Sequence, residues 1–236
     1  MLLIQQFLKQ GLIATANEHS QEKLSNNKQD GYVMKKLVVL LFLLVNSALL
    51  QAANYSEGTH YKKLSSQQTS SSDKVKVEEF FWYGCPHCST FEPYLKAWEK
   101  TKPANVELAR VPAIFRPDWE VQARVYYALS NMGKIDDMHE KIFTAIHKYK
   151  KRLDKKESLI DFIVDNGVDR EKFLEEYNSF AVDGMVRKAK KKIKAYQIQG
   201  VPSVVINGKY LTSGSMAGSY DNMIKITNYL IAKESQ

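Results

Sequence analysis

The spacing of apolar and polar residues changes twice in the first part of the folded chain, and each change marks an element. Residues 75–83 read Val-Lys-Val-Glu-Glu-Phe-Phe-Trp-Tyr, a β-prone run that predicts a strand. After Gly84, apolar residues such as Phe91 and Leu95 recur at helical spacing, so a helix follows. Residues 106–111 predict a second strand, and together these elements indicate a βαβ unit.

A long helical block follows this unit. Helical periodicity runs from about residue 118 to 195. Within the block, Asp154 and Glu157 have the spacing of a capping box, and Asp169 stands where it can cap a later helix. The pattern therefore predicts several successive helices between the second strand and the rest of the sheet.

The C-terminal part of the chain predicts a hairpin and a last helix. Residues 201–206 are a strand candidate, Asn207-Gly208 is a strong signal for a hairpin turn, and residues 209–211 would form the second strand of the hairpin. Residues 219–232 form an amphipathic helix. The predicted order is β, α, β, helical block, β-hairpin and α, which is an α/β fold class.

The first 53 residues predict an export signal behind a leader. Met34-Lys35-Lys36 precedes an apolar run, and small residues follow as far as Ala53, which is the arrangement of a cleaved secretory signal peptide. The apolar run is shorter than the roughly 20 residues of a membrane-spanning helix. Residues 1–33 are polar and would displace this signal from the N-terminus. We interpret them as a leader foreign to the native protein, the alternative being a real extension.

Composition and charge favour an ordinary globular domain. The chain has 236 residues, of which 44% are hydrophobic and 25% charged, with a net charge of +8. Six cations lie between Arg187 and Lys194. Because Ala189 and Ile193 interleave with them at helical spacing, we interpret the cations as the solvated face of an amphipathic helix. No nucleic-acid-binding motif accompanies the run, so no nucleic-acid partner is expected.

The two cysteines carry the candidate chemistry. Cys85 and Cys88 enclose Pro86 and His87 at the predicted strand-to-helix junction. A disulfide across so small a loop constrains the unfolded chain little, which indicates a chemical role. The helix N-terminus favours a thiolate at Cys85, and His87 can add a hydrogen bond or a positive charge.

A zinc site is the other reading of a Cys-x-x-C motif. Zinc would need two more ligands, and the histidines available are His60, His139 and His147. None of them forms a recognisable second half-site, so we expect no metal.

Two acidic residues lie on the strand before the cysteines. Alternation along a strand sends Glu78 and Glu79 to opposite faces. We expect Glu79 to point inward beneath the active-site helix, where it could take up the Cys88 proton, and Glu78 to be exposed. Glu92, on the helix itself, is either an electrostatic modulator or a surface acid.

Residues 80–88, Phe-Phe-Trp-Tyr-Gly-Cys-Pro-His-Cys, together with Gly200-Val201-Pro202-Ser203, resemble the DsbA family of bacterial periplasmic thiol–disulfide oxidases. The resemblance covers roughly residues 55–233. It implies a thioredoxin-like fold with a helical insertion between the second core strand and the cis-proline strand. The domain would span residues 54–236, with the core at about 61–117 and 196–236 and the insertion at about 118–195.

The resemblance also implies roles. Cys85 would be the nucleophile and Cys88 the resolving cysteine, with Pro86 and His87 between them tuning the centre. Pro202 would follow a cis peptide bond that presents the backbone of Val201 to an extended substrate. Acidic positions of the family match Glu79 and Glu92.

Partners and location follow from the same resemblance. The expected substrates are reduced exported proteins, and the membrane quinone reductase DsbB would reoxidise the enzyme. The protein would be a periplasmic monomer without a cofactor. Residues 110–119 differ from the best-known member, which leaves the groove and client range open.

Other functions remain open at this stage. A disulfide isomerase or reductase of the same superfamily would carry a dimerisation domain before the core, whereas only about 20 residues separate the signal from the first core strand. A periplasmic chaperone-like binding module with an incidental redox centre is the alternative of a different class. A cytosolic transferase of related fold is disfavoured by the signal peptide.

Overall fold

The structure, a computed structural model, describes residues 55–65 and 74–235. The predicted leader (residues 1–33) and signal peptide (residues 34–53) lie outside the described residues. Within the part of the chain that is described, no helix has the length and apolar composition of a membrane span.

Within residues 55–65 and 74–235, five strands form one mixed sheet in the order β1-β5-β4-β2-β3. In this sheet β2 and β3 run parallel, and the other neighbouring pairs are antiparallel. The strands are β1 (Lys62–Lys63), β2 (Val75–Phe81), β3 (Val106–Pro112), β4 (Ser203–Ile206) and β5 (Tyr210–Ser213). The parallel pair needs a crossover, which the helix after β2 supplies, so the predicted βαβ unit is confirmed.

The helices divide into those of the core and those of the insertion. The core helices are α1 (Pro86–Glu99), α7 (Gly214–Ala217) and α8 (Tyr220–Glu234). A 3₁₀ turn and five helices lie between β3 and β4: the turn at Pro117–Trp119, α2 (Glu120–Asn131), α3 (Ile135–His147), α4 (Lys156–Asp165), α5 (Arg170–Tyr177) and α6 (Phe180–Ala195). The helical insertion is therefore where the sequence predicts it, and it begins at Pro117.

Hydrophobic clusters cover both faces of the sheet. Val77 of β2 packs in the cluster that contains Phe91 of α1 and Met223 of α8. Phe80 packs in the other cluster, which contains Leu129 of α2 and other insertion residues. A strand covered on both faces is buried along its length, and six of the seven residues of β2 are buried.

This double coverage corrects the expectation that Glu78 is exposed. Glu78 does lie on the face opposite Glu79, but α6 packs over that face and leaves Glu78 only 2% exposed. The Lys192 ammonium pairs with the Glu78 carboxylate, and the Tyr196 hydroxyl donates to it. Lys192 is thus turned inward, while Lys191 of the same basic run is exposed as predicted.

The predicted helix ends are partly correct. Asp169 caps α5 by accepting a hydrogen bond from the Lys172 N–H at 2.9 Å. The capping box predicted at Asp154 is wrong, because α4 begins at Lys156 and its N-cap is Lys155, which makes no side-chain capping hydrogen bond. At the hairpin, Asn207 and Gly208 both have positive φ, 50° and 64°. Such angles match the twist of a tight hairpin, so the predicted turn is confirmed.

Candidate active site

Cys85 is the residue that caps the N-terminus of α1. Its backbone is extended, with φ −85° and ψ 116°, and Pro86 occupies the first helical turn. The Cys85 N–H donates to the Trp82 carbonyl at 3.0 Å, and the Cys85 carbonyl accepts from the Ser89 N–H at 3.2 Å. Because proline lacks an N–H that the first turn would leave unpaired, it suits this position. The thiol therefore stands at the positive end of the helix dipole.

The two cysteines have opposite acidities. Both are free thiols, and Cys88 is fully buried whereas Cys85 is 7% exposed. The hydrogen bond from the Cys88 thiol lowers the pKa of Cys85 to about 6 against the effect of burial, and the backbone N–H groups of Cys88 and His87 also lower it. Burial raises the pKa of Cys88 far above its ordinary value. At neutral pH the pair is one thiolate, at Cys85, and one thiol, at Cys88, and the thiolate is the form of cysteine that reacts with disulfides.

His87 makes a smaller contribution to the thiolate than its place in the motif suggests. The charge of His87 does lower the pKa of Cys85, but it ranks behind the Cys88 hydrogen bond and the backbone N–H groups. The imidazole is exposed, and its Nδ1 lies 3.1 Å from the hydroxyl of Tyr220, at the start of α8.

The loop before β4 closes the site on the other side of Cys85. The Val201–Pro202 peptide bond is cis, as expected. The Val201 carbonyl oxygen lies 3.5 Å from the Sγ of Cys85, where it can accept a hydrogen bond from the protonated thiol. A groove of about 740 Å³ runs from this point and is lined by His87, Val201, Pro202, Tyr220 and neighbouring residues of the cis-proline loop and α7.

Glu79 is buried beneath α1, as predicted, and shares a single cation with two other acids. The Arg110 Nε lies 3.4 Å from Glu79, and the Arg110 Nη2 lies 3.1 Å from both Glu92 and Glu99. One guanidinium cannot neutralise three carboxylates in a poorly solvated place. Burial, followed by the charge of Glu92, raises the pKa of Glu79 to about 8 although Arg110 opposes the shift. Glu79 is therefore the carboxyl that keeps its proton.

Glu92 is a buried member of this charge cluster and not a surface acid. Its carboxylate lies 3.5 Å from the His139 Nε2 as well as near Arg110. Burial acts to raise the pKa of Glu92, but the His139 hydrogen bond and the charges of His139 and Arg110 outweigh it and lower the pKa. Glu92 therefore stays ionised beside the protonated Glu79.

Two histidines of the insertion hold the active-site turn, and the sequence analysis missed this role. The Tyr83 hydroxyl lies 2.8 Å from the His139 Nδ1, and the Tyr83 carbonyl accepts from the His147 Nε2 at 2.7 Å. Both histidines belong to α3, more than 50 residues after Tyr83 in the chain, so no local sequence pattern predicts these contacts. The described residues contain no cluster of side chains that could hold a metal ion.

An aromatic pair borders the site on the insertion side. The rings of Trp82 and Trp119 stack with centroids 3.7 Å apart and planes 5° apart. A Cβ on Gly84 would lie 2.3 Å from the Trp82 ring, so only glycine leaves room for it. Trp119 belongs to the 3₁₀ turn at the start of the insertion, so this stack joins the insertion to the active-site turn.

Comparison with known proteins decides the family. A family model described as a DSBA-like thioredoxin domain matches residues 107–223. The thiol:disulfide interchange protein DsbA of Pseudomonas aeruginosa PAO1 is 43% identical over 205 residues, which cover 85% of this chain and 97% of that protein. The chain belongs to the DsbA family. The DsbA of Burkholderia cepacia is 40% identical over 84% of this chain and 96% of its own length.

Solved DsbA structures share the fold. The crystal structure of Pseudomonas aeruginosa DsbA matches with a TM-score of 0.73 and 45% identity, covering 77% of this chain and 95% of that one. The DsbA oxidoreductase of Xylella fastidiosa matches with a TM-score of 0.72 at 27% identity, covering 77% and 98%. This DsbA-family protein is thus a thiol–disulfide oxidoreductase with a thioredoxin-like fold, as the sequence motifs predict.

Proposed function

We propose that this DsbA-family protein acts as an oxidase, donating a Cys85–Cys88 disulfide to reduced exported polypeptides. The observation that carries the proposal is the pKa of Cys85, lowered to about 6 at the N-terminus of α1. Forces that stabilise a thiolate stabilise the reduced enzyme, and a stable reduced form makes the disulfide a stronger oxidant.

The reaction proceeds by two thiol–disulfide exchanges. A substrate thiolate attacks the Sγ of Cys85, the Cys85–Cys88 bond breaks, and the Cys88 sulfur leaves with the electron pair. A second substrate thiolate then attacks the substrate sulfur of the mixed disulfide and releases Cys85 as a thiolate. The substrate loses two electrons and the enzyme gains them.

In this proposal Glu79 gives a proton to the Cys88 sulfur that leaves in the first exchange. The departing Cys88 thiolate is buried, and a charged sulfur is costly there, so it takes up a proton. Glu79 holds a proton up to a pH of about 8 and lies in the same buried region, where its ionised form raises the pKa of Cys88. We assign Glu79 as the relay for this proton: it passes its own proton to Cys88 and takes another from solvent, and on reoxidation both transfers run in reverse.

Substrate chains are held by the cis-proline loop. The groove next to Cys85 contains Val201 and Pro202, and the Val201 carbonyl oxygen lies 3.5 Å from the Cys85 Sγ. An extended segment that carries a cysteine can pair with this backbone by adding a strand-like stretch. Pairing through backbone hydrogen bonds does not require particular substrate side chains.

The cellular setting of the proposal is the periplasm. The signal-like residues 34–53 support export, and the DsbA relatives support a role in disulfide formation. We propose that the mature chain works as a monomer and that the membrane quinone reductase DsbB returns the electrons to the respiratory chain.

The equilibrium of the Cys85–Cys88 disulfide against graded glutathione buffers tests the oxidase function. We expect the disulfide to open at a potential near or above that of the glutathione pool. A disulfide that stays closed down to the potential of thioredoxin would overturn the proposal in favour of a reductase. The Cys85→Ser variant separates the binding-module alternative, because an oxidase loses all activity whereas a chaperone still suppresses aggregation.

A further inference from the structure

The N-termini of α1 and α8 meet at one side-chain hydrogen bond beside the nucleophile. The Tyr220 hydroxyl lies 3.1 Å from the Nδ1 of His87, across 133 residues of chain. Both side chains line the substrate groove next to Val201 and Pro202. Among the residues that the structure describes, the only other charged or titratable side chain of that lining is Lys62. The bond therefore fixes the imidazole at the mouth of the groove.

Tyr220 is well placed to act as an anchor. Its ring packs against Phe91, with centroids 5.7 Å apart, and against Tyr94, with centroids 5.9 Å apart. The residue before it, Ser219, caps α8 by accepting from the Asn222 N–H at 3.1 Å. Ring and backbone are thus both held, whereas His87 is exposed on the surface of α1.

We propose that Tyr220 is a positioning residue that holds the His87 imidazole beside the Cys85 sulfur. An exposed imidazole without a tether rotates about its side-chain torsions and spends much of its time in solvent. A phenol hydroxyl donates to Nδ1 when the imidazole is neutral and accepts from the Nδ1–H when it is charged. The tether therefore survives protonation of His87.

The tether matters because the effect of His87 on the thiolate depends on distance. The attraction between an imidazolium and a thiolate falls with their separation and is further reduced by solvent. Holding the ring near Cys85 keeps this attraction, and releasing the ring weakens it. The inference deepens the proposed oxidase function, since a weaker attraction makes the reduced enzyme less stable and the disulfide less oxidising.

The first test is thiolate titration of the full chain, followed by ultraviolet absorbance in the reduced state. We expect Tyr220→Phe to raise the pKa of Cys85, so that the ratio of thiolate to thiol at a fixed pH falls about twofold to fivefold, the range of a solvent-exposed charge interaction. Tyr94→Phe is the matched control, because it removes a neighbouring hydroxyl from the same aromatic group, and it should leave the titration unchanged.

A double-mutant cycle shows whether the effect passes through His87. In a His87→Ala background, Tyr220→Phe should cause no further change in the Cys85 titration. An equal shift in both backgrounds would overturn the proposal, because the phenol would then act on the thiolate directly or through the fold. No shift in either background would overturn it as well.

The imidazole itself provides an independent readout. In the wild-type protein the ring nitrogen resonances should show Nδ1 in a hydrogen bond, and in Tyr220→Phe they should move to the values of a free exposed histidine. Unchanged resonances would contradict the tether. These measurements need no substrate and no redox partner, so they remain decisive even if the glutathione titration disproves the oxidase function.

Discussion

The Sγ of Cys85 lies 3.5 Å from the carbonyl oxygen of Val201, although 116 residues separate the two in the chain. The sulfur that would form the mixed disulfide and a backbone carbonyl of the groove are thus in direct contact. Under the proposed function, a cysteine-bearing segment that pairs with the cis-proline loop brings its own sulfur next to Cys85, so that binding also positions the reacting atoms.

The acidity of Cys85 makes the stability of the reduced protein depend on pH. The pKa of Cys85 is lowered from 9.0 to about 6 in the folded state. Between these values the unfolded chain binds a proton that the folded chain has lost, so the free energy of unfolding rises with pH. The stabilisation is lost again as pH falls through about 6. We expect the oxidised protein, which has no thiol, to lack this rise when both forms are unfolded in urea across the range. Parallel curves for the two forms would contradict the acidity assigned to Cys85.

Glu79 produces the opposite dependence. Its pKa is raised from 4.5 to about 8, so between these values the folded chain holds a proton that the unfolded chain has released. The free energy of unfolding therefore falls with rising pH, by at most about 1.4 kcal/mol per pH unit. Glu79→Gln should remove this fall in the oxidised protein and be most stabilising, relative to the wild type, above pH 8.

The control for Glu79 is Glu107→Gln, which changes an exposed carboxylate on β3 in the same way. Its unfolding free energy should follow the wild-type curve throughout. If Glu79→Gln and Glu107→Gln give the same pH dependence, Glu79 is not a protonated carboxyl in the native state.

Gly84 should tolerate no side chain. Alanine there places a Cβ 2.3 Å from the Trp82 ring, which cannot move away without disturbing its stack on Trp119. We expect Gly84→Ala to lower the free energy of unfolding by about 1–3 kcal/mol, as overpacking does. Gly184→Ala is the control, because a Cβ at this position in the interior of α6 would have no atom closer than 3.9 Å. Since alanine favours a helix more than glycine does, this substitution should raise the free energy of unfolding by about 1 kcal/mol. Equal effects of the two substitutions would argue against the close approach of Trp82.

The inward lysine of the basic run should matter more than its neighbours. Lys192→Ala leaves the buried Glu78 carboxylate with the Tyr196 hydroxyl and a long contact of 3.9 Å to Lys76. Removing one partner of a buried ion pair costs about 3 kcal/mol. Lys191→Ala, one position earlier and exposed, should change stability by less than about 0.5 kcal/mol. Urea unfolding of the two variants at one pH measures the difference.

Local signals in the sequence were sufficient for the elements that hold the site. The strand, the glycine and the proline around Cys85 predict the strand-to-helix junction because each acts on its own backbone. The cap Asp169 is found for the same reason, since a cap bonds only two or three residues ahead. The capping box predicted at Asp154 is wrong because Asp154 lies in the loop before α4 and is not the residue that caps this helix.

Long-range features could not be predicted in this way. Alternation identifies the side of β2 on which Glu78 lies, but it does not reveal that α6 covers that side. The hydrogen bonds of His139 and His147 to Tyr83 depend on how α3 packs against the sheet. Arg110 is visible as a strand residue, yet its role as the shared cation of three acids follows only from the folded arrangement.

The two bonds that α3 makes to Tyr83 bear on how such enzymes can be recombined. The hydroxyl and the carbonyl of one residue, two positions before the nucleophile, are both held by the insertion. The insertion is therefore not an interchangeable module added to a self-sufficient redox core. A chimaera that keeps the Cys-Pro-His-Cys turn but exchanges α3 loses both anchors of that turn. Grafting between relatives should succeed only when the turn and α3 are transplanted together.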